Sequence, residues 1–172
     1  MRYVALWRGI NVGKAKRLAM ADLKALLAEL GATGVTTLLN SGNVVFDTKK
    51  PLGADRIRTA VADKLGVDAA VILKTAEEWA NIAAEQPLAE ADDPSRLLVA
   101  IPANAAALQA AAGIVAGSGE RFVVTAHAAY LWCGNGILES KAAVALLKQL
   151  GEAGTTRNWA TVQKLAALAQ PR

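Results

Sequence analysis

The sequence predicts an α+β protein made of two similar βαββαβ halves with antiparallel sheets. Short β-rich runs alternate with segments in which apolar residues recur every three or four positions. The order strand, helix, two strands, helix occurs twice, and the proline- and acid-rich stretch at 86–95 separates the two occurrences. We therefore expect one unit over 1–86 with a linking helix, and a second over 96–172 with a C-terminal helix, packed as one compact body.

The first half shows the pattern most clearly. Apolar residues follow a helical period from Met20 to Leu30, and Gly31 is a natural helix stop. The turn NSGN separates two β-rich runs and supplies residues that tolerate the positive φ angles of a tight hairpin. The predicted elements are a strand at 3–7, a helix at 20–30, strands at 35–39 and 44–46, a helix between 53 and 66, and a strand at 70–73.

The linking helix and the second half repeat this order. Thr75 and Glu78 have the spacing of a capping box, which predicts a helix that runs to about residue 85. The recurrence of the pattern indicates an internal duplication. The later predicted elements are a strand at 96–101, a helix opened by Pro102, a hairpin of 122–125 with 130–132, a helix at 140–150, and a closing helix capped by Thr156 or Asn158.

Composition limits the class of protein. The chain has 172 residues, of which 53% are hydrophobic and 20% charged, so it can bury a substantial core. Its net charge is +4, and residues 1–17 contain five basic residues and no acidic one. This balance permits anionic partners but falls short of the dense basic stripe of a dedicated nucleic-acid binder.

Targeting signals and cysteine content favour the cytoplasm. The chain has a single cysteine and no signal-peptide pattern at its N-terminus. Residues 97–119 carry no charge, but Pro102 and Asn104 interrupt them and alanine contributes little to membrane insertion. We expect a strand followed by a buried helix there, and no membrane partner.

The segment RGINVGKAKR after the first strand is the most distinctive local feature. Its glycines let backbone amides approach an anion, and its four cations, Lys14 among them, supply positive charge. It is not a P-loop, because Arg8 and Ala15 stand where that motif needs a glycine and a hydroxyl residue. Two interpretations stay open: a phosphate-binding loop, or a solvated loop that Gly9 and Gly13 merely shape.

Polar residues near other turns complete the candidate set. Ser41 and Asn43 either form an ordinary hairpin turn or contribute to a site. Arg157 and Asn158 lie beside a predicted helix start, where backbone amides favour negative charge, and Lys141 is a further candidate. The alternatives for Arg157 and Asn158 are a surface salt bridge and a helix cap.

Metal sites and nucleophilic triads lack the residues they need. The chain has one histidine, His127, and one cysteine, Cys133, which predicted hairpin geometry separates by about 20 Å of extended chain. We expect His127 in a turn and Cys133 as a small buried hydrophobe. Most carboxylates fall on exposed helix faces or in the acidic linker, so paired-carboxylate catalysis also lacks an anchor. With one histidine and one cysteine, the sequence predicts no metal and no cofactor.

The strings VALWRGINVGK, LNSGNVVFD and TTRNWATVQKL resemble the bacterial domain-of-unknown-function family sixteen ninety-seven over nearly the whole chain. The resemblance implies a pair of ferredoxin-like units and no established activity. Trp7 stands where leucine is expected, and Ala15 lies in a loop that is usually more polar. A shared site would draw on the residues of these blocks, namely Arg8, Gly9, Asn11, Gly13, Ser41, Gly42, Asn43, Lys141, Thr156, Arg157, Asn158 and Trp159.

Our leading hypothesis is a protein that binds an anionic, phosphate-bearing small molecule between the RGINVGK loop and the second half. One alternative is a nucleic-acid-binding module, which eight aromatic residues and no RRM-type block disfavour. Others are a metal-independent enzyme using Lys14, Lys141 or Ser41, and an oligomeric interaction protein. The predicted ligand-binding residues are Arg8, Gly9, Asn11, Gly13, Lys14, Ser41, Asn43, Lys141, Arg157 and Asn158.

Overall fold

The chain forms two four-stranded antiparallel sheets in a computed structural model that describes residues 1–171. The first sheet has the order β2-β3-β1-β4, and the second has the order β6-β7-β5-β8. The strands are β1 (Arg2–Trp7), β2 (Thr33–Leu38), β3 (Asn43–Asp47), β4 (Val71–Thr75), β5 (Leu97–Pro102), β6 (Glu120–Val124), β7 (Ala129–Cys133) and β8 (Gly154–Asn158).

Six α-helices connect and follow these strands. They are α1 (Met20–Glu29), α2 (Ala54–Leu65), α3 (Ala76–Ala84), α4 (Ala105–Ala111), α5 (Lys141–Leu150) and α6 (Trp159–Ala169). Each half runs βαββαβ and ends in a further helix, α3 or α6, and the two strand orders are equivalent. The α+β fold with two ferredoxin-like halves is therefore confirmed. The topology repeats, while the duplication itself stays a prediction.

The chain divides into two compact units. One holds Met1–Trp79 together with the C-terminal residues from Ala167 on, and the other holds Ala80–Ala166. Both divisions fall inside helices, α3 and α6, rather than in loops. The domain boundaries at 86 and 96 stay predictions.

Each sheet buries one face against the two helices of its own half. In β1, alternate residues Tyr3, Ala5 and Trp7 join the apolar side chains of α1 and α2 in one buried cluster. In the second half, Leu98 and Ala100 of β5 join α4 and α5 in the same manner. The period-two alternation in the strands and the helical period together produce these two cores.

Local capping agrees with the predicted helix ends. The Thr75 Oγ1 accepts from the Glu78 amide at 3.1 Å, and a Glu78 carboxylate oxygen accepts from the Thr75 amide at 2.8 Å. This reciprocal pair is the predicted capping box. Gly66 ends α2 with φ of 71°. Asn158 accepts from the Thr161 amide at 2.9 Å, so Asn158 caps α6 and Thr156 lies in β8.

Two sequence-based predictions were wrong in the second half. Pro102 does not open a helix, because it is the last residue of β5, and α4 begins only at Ala105 behind the cap Asn104. The fourth strand of this half, β8, which the predicted βαββαβ order requires, was not assigned to any residues. Its sequence GTTRN is mostly polar, so neither period-two alternation nor β-branched enrichment marked it clearly.

Candidate functional site

The connection from β1 to α1 is a folded finger rather than an extended loop. The Asn11 amide donates to the Lys16 carbonyl at 3.0 Å, and Val12 and Ala15 form an isolated antiparallel bridge between them. Asn11, Gly13 and Lys16 have positive φ angles, which close this turn. Residues 12–17 are exposed. We use "finger" for residues 11–16.

The Asn11 side chain fastens the finger to the rest of the first half. Its Oδ1 accepts from the Leu18 amide at 2.8 Å. Its Nδ2 donates to the Leu18 carbonyl at 2.8 Å and to the Asn40 carbonyl at 2.7 Å. Both amide hydrogens are thus used inside the protein. Asn11 therefore orders the finger, and it also joins the finger to the β2–β3 turn.

The β2–β3 turn packs directly under the start of the same connection. Gly42 has φ of 89°, and a Cβ there would lie 2.7 Å from Ile10 Cδ1 and 2.8 Å from Trp7 Cβ. The Trp7 amide donates to the Gly42 carbonyl at 2.9 Å. Asn43 is buried, and its Nδ2 donates to the Leu38 carbonyl at 2.8 Å and to Ser41 Oγ at 2.9 Å. The NSGN turn thus needs Gly42 for close approach.

A groove of about 570 Å³ lies between the finger and the first turn of α1. The groove meets the N-terminus of α1, where the N-cap residue Ala19 makes no side-chain capping hydrogen bond. Backbone amides at such a helix end attract anions. One acidic side chain, Asp22, also lines the groove. The lining residues are Asn11, Arg17, Leu18, Ala19, Met20, Ala21, Asp22 and Asn40.

Exposed cations extend from and beside the finger. Arg17 lines the groove and makes only long hydrogen bonds, to the Asn11 carbonyl at 3.4 Å and to the Gly13 carbonyl at 3.3 Å. Lys14 and Lys16 are exposed on the finger itself. The hydrogen bond from Arg58 and its charge lower the pKa of the Asp68 carboxyl, and the charge of Lys16 lowers it by a smaller amount. Arg17 is therefore the cation best placed to face a bound anion.

Arg157 lies in a different environment, inside the second half. It is 9% exposed, faces away from α4 and α5, and pairs in register with Val99. Its guanidinium donates to Thr155 Oγ1 at 3.0 Å and to the Thr156 carbonyl at 2.8 Å. Burial lowers the pKa of Arg157 to about 10. The prediction of a surface salt bridge for Arg157 is therefore wrong, because Arg157 lies in a buried strand. The polar sequence of β8 does not mark it as such a strand.

The remaining candidates of the second half serve helix ends. Asn158 caps α6 as described above. Lys141 is the exposed first residue of α5 and lines a separate pocket of about 220 Å³ with Glu120, Glu139 and Asn135. The first unit thus contains Arg8, Gly9, Asn11, Gly13, Lys14, Ser41 and Asn43, of which Asn11 lines the groove, and the second unit contains Lys141, Arg157 and Asn158.

Two buried polar side chains, Lys74 and Tyr130, were not predicted from the sequence. Lys74 is a lysine that is only 9% exposed in β4. Tyr130 in β7 donates to the Ile82 carbonyl at 2.6 Å, and burial raises the pKa of Tyr130 to about 12. The alternation in VILKT puts Lys74 on the same face as buried Ile72, a signal that was available in the sequence.

His127 and Cys133 occupy the places the sequence predicts. His127 lies in the β6–β7 turn, with Nδ1 at 2.7 Å from a Glu85 carboxylate oxygen. Cys133 is fully buried, and burial raises the pKa of its thiol. No cluster of three His, Cys, Asp or Glu side chains suited to a metal occurs within residues 1–171. In the same range, every helix is too short or too polar to cross a bilayer.

Comparisons with known proteins agree with this picture. The chain superposes on a solved structure, the conserved bacterial protein SP0830 from Streptococcus pneumoniae, with a TM-score of 0.76 and 19% identity over 98% of each chain. At that identity, the likeness establishes the fold alone. No curated protein matches the chain at a significant level. Residues 1–132 of the 172 match a family described as "protein of unknown function (DUF1697)", a range that ends before the third sequence block. The chain therefore belongs to the DUF1697 family, as its sequence blocks predict.

Proposed function

We propose that this protein is a cytoplasmic binder of an anionic, phosphate-bearing small molecule, held in the groove between the finger and the first turn of α1. The observation that carries the proposal is the groove itself, because Arg17 and the uncapped start of α1 face the same space. The cytoplasm is proposed from the single, buried cysteine, Cys133.

Electrostatics favours an anion at this position. The first turn of α1 has backbone N–H groups that no side chain caps, and such groups favour negative charge. Arg17 adds a guanidinium, which binds phosphate oxygens in a bidentate geometry. The carboxylate of Asp22 repels an anion in the groove and so weakens its binding. Ligands whose negative charge lies near Arg17 are therefore preferred.

The size and rigidity of the groove fit a small molecule. Its volume of about 570 Å³ lies within the range of small-molecule sites, about 300–1,000 Å³. The three hydrogen bonds of Asn11 hold the finger against Leu18 and Asn40. A site held in this way loses little conformational entropy when a ligand binds. Asn11 therefore orders one wall of the groove, and both of its amide hydrogens are already used inside the protein.

Thermal shift and calorimetry with inorganic phosphate and adenosine monophosphate test the proposal. A ligand that binds only the folded state raises Tm in proportion to ln(1 + [L]/Kd). We expect Arg17→Ala to abolish the shift, Lys14→Ala to reduce it, and Arg17→Lys to restore part of it. Lys50→Ala is the matched control, because Lys50 is exposed beyond β3, at the opposite end of the first sheet.

The acidic residue supplies a test of opposite sign. Asp22→Asn removes a negative charge from the groove and should tighten phosphate binding, by about threefold to tenfold if the carboxylate contributes about 1 kcal/mol. Equal loss of binding in Arg17→Ala and Lys50→Ala would show that phosphate binding depends on the overall positive charge of the surface and not on the groove. An absence of any shift with both ligands, in the unmodified protein, would refute the proposed function.

A further inference from the structure

Side chains of opposite charge line the groove beside the finger. Arg17 and Asp22 both border this space, and both residues are exposed. Arg17 makes only the two long hydrogen bonds to finger carbonyls described above. In the part of the chain that the structure describes, residues 1–171, the Asp22 carboxylate makes no hydrogen bond or ion pair. The groove therefore presents a cation and an anion that do not neutralise each other.

The carboxylate of Asp22 is a disadvantage in a site for a simple anion, because it repels the ligand that Arg17 attracts. Binding sites use such repulsion to reject competitors when the preferred ligand carries a group that interacts favourably with the repelling residue. An ammonium group does so most strongly, because its hydrogen bond to a carboxylate joins two charges, whereas a hydroxyl donates without any positive charge. Asp22 therefore favours a ligand that carries an ammonium group as well as a phosphate.

The first turn of α2 shows the purely structural role that an acidic residue has at a helix start. Asp55 lies there as Asp22 lies in α1, and the N-cap residue Gly53 likewise makes no side-chain hydrogen bond. Both carboxylates interact favourably with the helix dipole. Asp55 lines a different pocket, which the finger does not border. Asp22, in contrast, faces a groove whose opposite wall is held in place by Asn11.

We propose that the ligand of the groove is a zwitterionic phosphate monoester, a small molecule with a phosphate at one end and an ammonium group at the other. This inference rests on the proposed function and names the class of its ligand. Arg17 and the backbone amides of the first turn of α1 bind the phosphate, and Asp22 accepts hydrogen bonds from the ammonium group. Apolar atoms of Ala19, Met20 and Ala21 also line the groove and suit the carbon chain between the two charges. A monoester carries more negative charge for Arg17 than a diester does.

Calorimetry with matched pairs of ligands tests the role of Asp22. Phosphoethanolamine and propyl phosphate are similar in size, but only phosphoethanolamine carries an ammonium group, and aminopropyl phosphate with butyl phosphate forms a second pair with a longer chain. In the unmodified protein, we expect the amine to bind more tightly than its alkyl partner in at least one pair, by about twofold to fivefold, as for an exposed ion pair. Asp22→Asn should weaken binding of that amine by about the same factor, and should tighten binding of the alkyl phosphate as it does that of inorganic phosphate.

Asp55→Asn is the matched control, because it removes the first-turn acid of α2 and should leave every affinity unchanged. An equal effect of Asp22→Asn on both members of each pair would overturn the ammonium group while leaving phosphate binding intact. If inorganic phosphate and all four esters fail to bind the unmodified protein, the proposed function fails as well. Equal or tighter binding of glycerophosphoethanolamine, a diester, would overturn the monoester and indicate a lipid headgroup instead.

Discussion

The two halves have the same topology but connect their first strand and first helix differently. Twelve residues, Arg8 to Ala19, join β1 to α1, whereas Ala103 and Asn104 alone join β5 to α4. Asn104 caps α4 by accepting from the Ala107 amide at 2.9 Å, while Ala19 provides no cap for α1. The shared fold needs only the short connection. The additional residues of the first half form the finger and line the groove, and two of them, Ile10 and Leu18, are also buried in the core of that half.

The largest expected effect is a loss of stability when the packing beneath the connection from β1 to α1 is disturbed. Gly42→Ala combines a positive φ with a Cβ at 2.7 Å from Ile10, and overpacking of this kind together with backbone strain should lower the free energy of unfolding by about 3 kcal/mol or more. Gly31→Ala is the matched control, because Gly31 has φ of 96° with no atom within 4 Å of the added Cβ. We expect it to lose only about 1 kcal/mol. Urea denaturation measures both, and equal losses would refute close packing at Gly42.

A second, smaller effect concerns Lys74, the buried lysine in the fourth strand of the first half. Because desolvation lowers the pKa of Lys74, the unfolded chain binds its proton more tightly than the folded protein does. The stability of the unmodified protein should therefore rise with pH between that lowered pKa and the ordinary value of 10.5. Lys74→Met should be more stable near neutral pH, by about 1–2 kcal/mol, and the difference should shrink as pH rises through that window.

Denaturation series at several pH values, on both proteins, check this prediction. Lys50→Met is a suitable control, because it removes an exposed lysine and should leave the pH dependence unchanged. A stability difference between Lys74→Met and the unmodified protein that does not vary with pH would show that packing, and not charge, dominates at this position.

The smallest effects exchange the helix caps of the two halves. Asn104→Ala removes the cap of α4 and should lower stability by about 1 kcal/mol. Ala19→Ser offers α1 a cap and should raise stability by about 0.5–1 kcal/mol. The new hydroxyl would occupy backbone amides that the proposed phosphate uses, so the affinity for phosphate should fall. A gain in Tm with unchanged phosphate affinity would show that the anion does not bind at the start of α1.

Much of the fold could be predicted because it depends on local periodicity. The helical period of Met20–Leu30 and the capping box of Thr75 with Glu78 are properties of short segments. The strand β8 escaped prediction because pairing with β5, and not its own composition, makes GTTRN a strand. Its burial of Arg157 was missed for the same reason.

The candidate site could be predicted only as a set of residues. The cations and glycines of the first connection are visible in the sequence, but the groove depends on Asn11 reaching Asn40, which is 29 residues away. Nothing in the local pattern indicates that pairing. Lys74 could have been recognised from the alternation of VILKT, since a lysine there interrupts an apolar face.

The hydrogen bond from Asn11 to Asn40 also constrains the order in which the first half assembles. Its acceptor lies in the β2–β3 turn, so the finger gains this anchor only after that hairpin has closed. Conversely, the finger can detach by breaking the few bonds of one side chain, while the sheet stays intact. Amides of the finger should therefore exchange with solvent through a local opening whose free energy is below that of global unfolding.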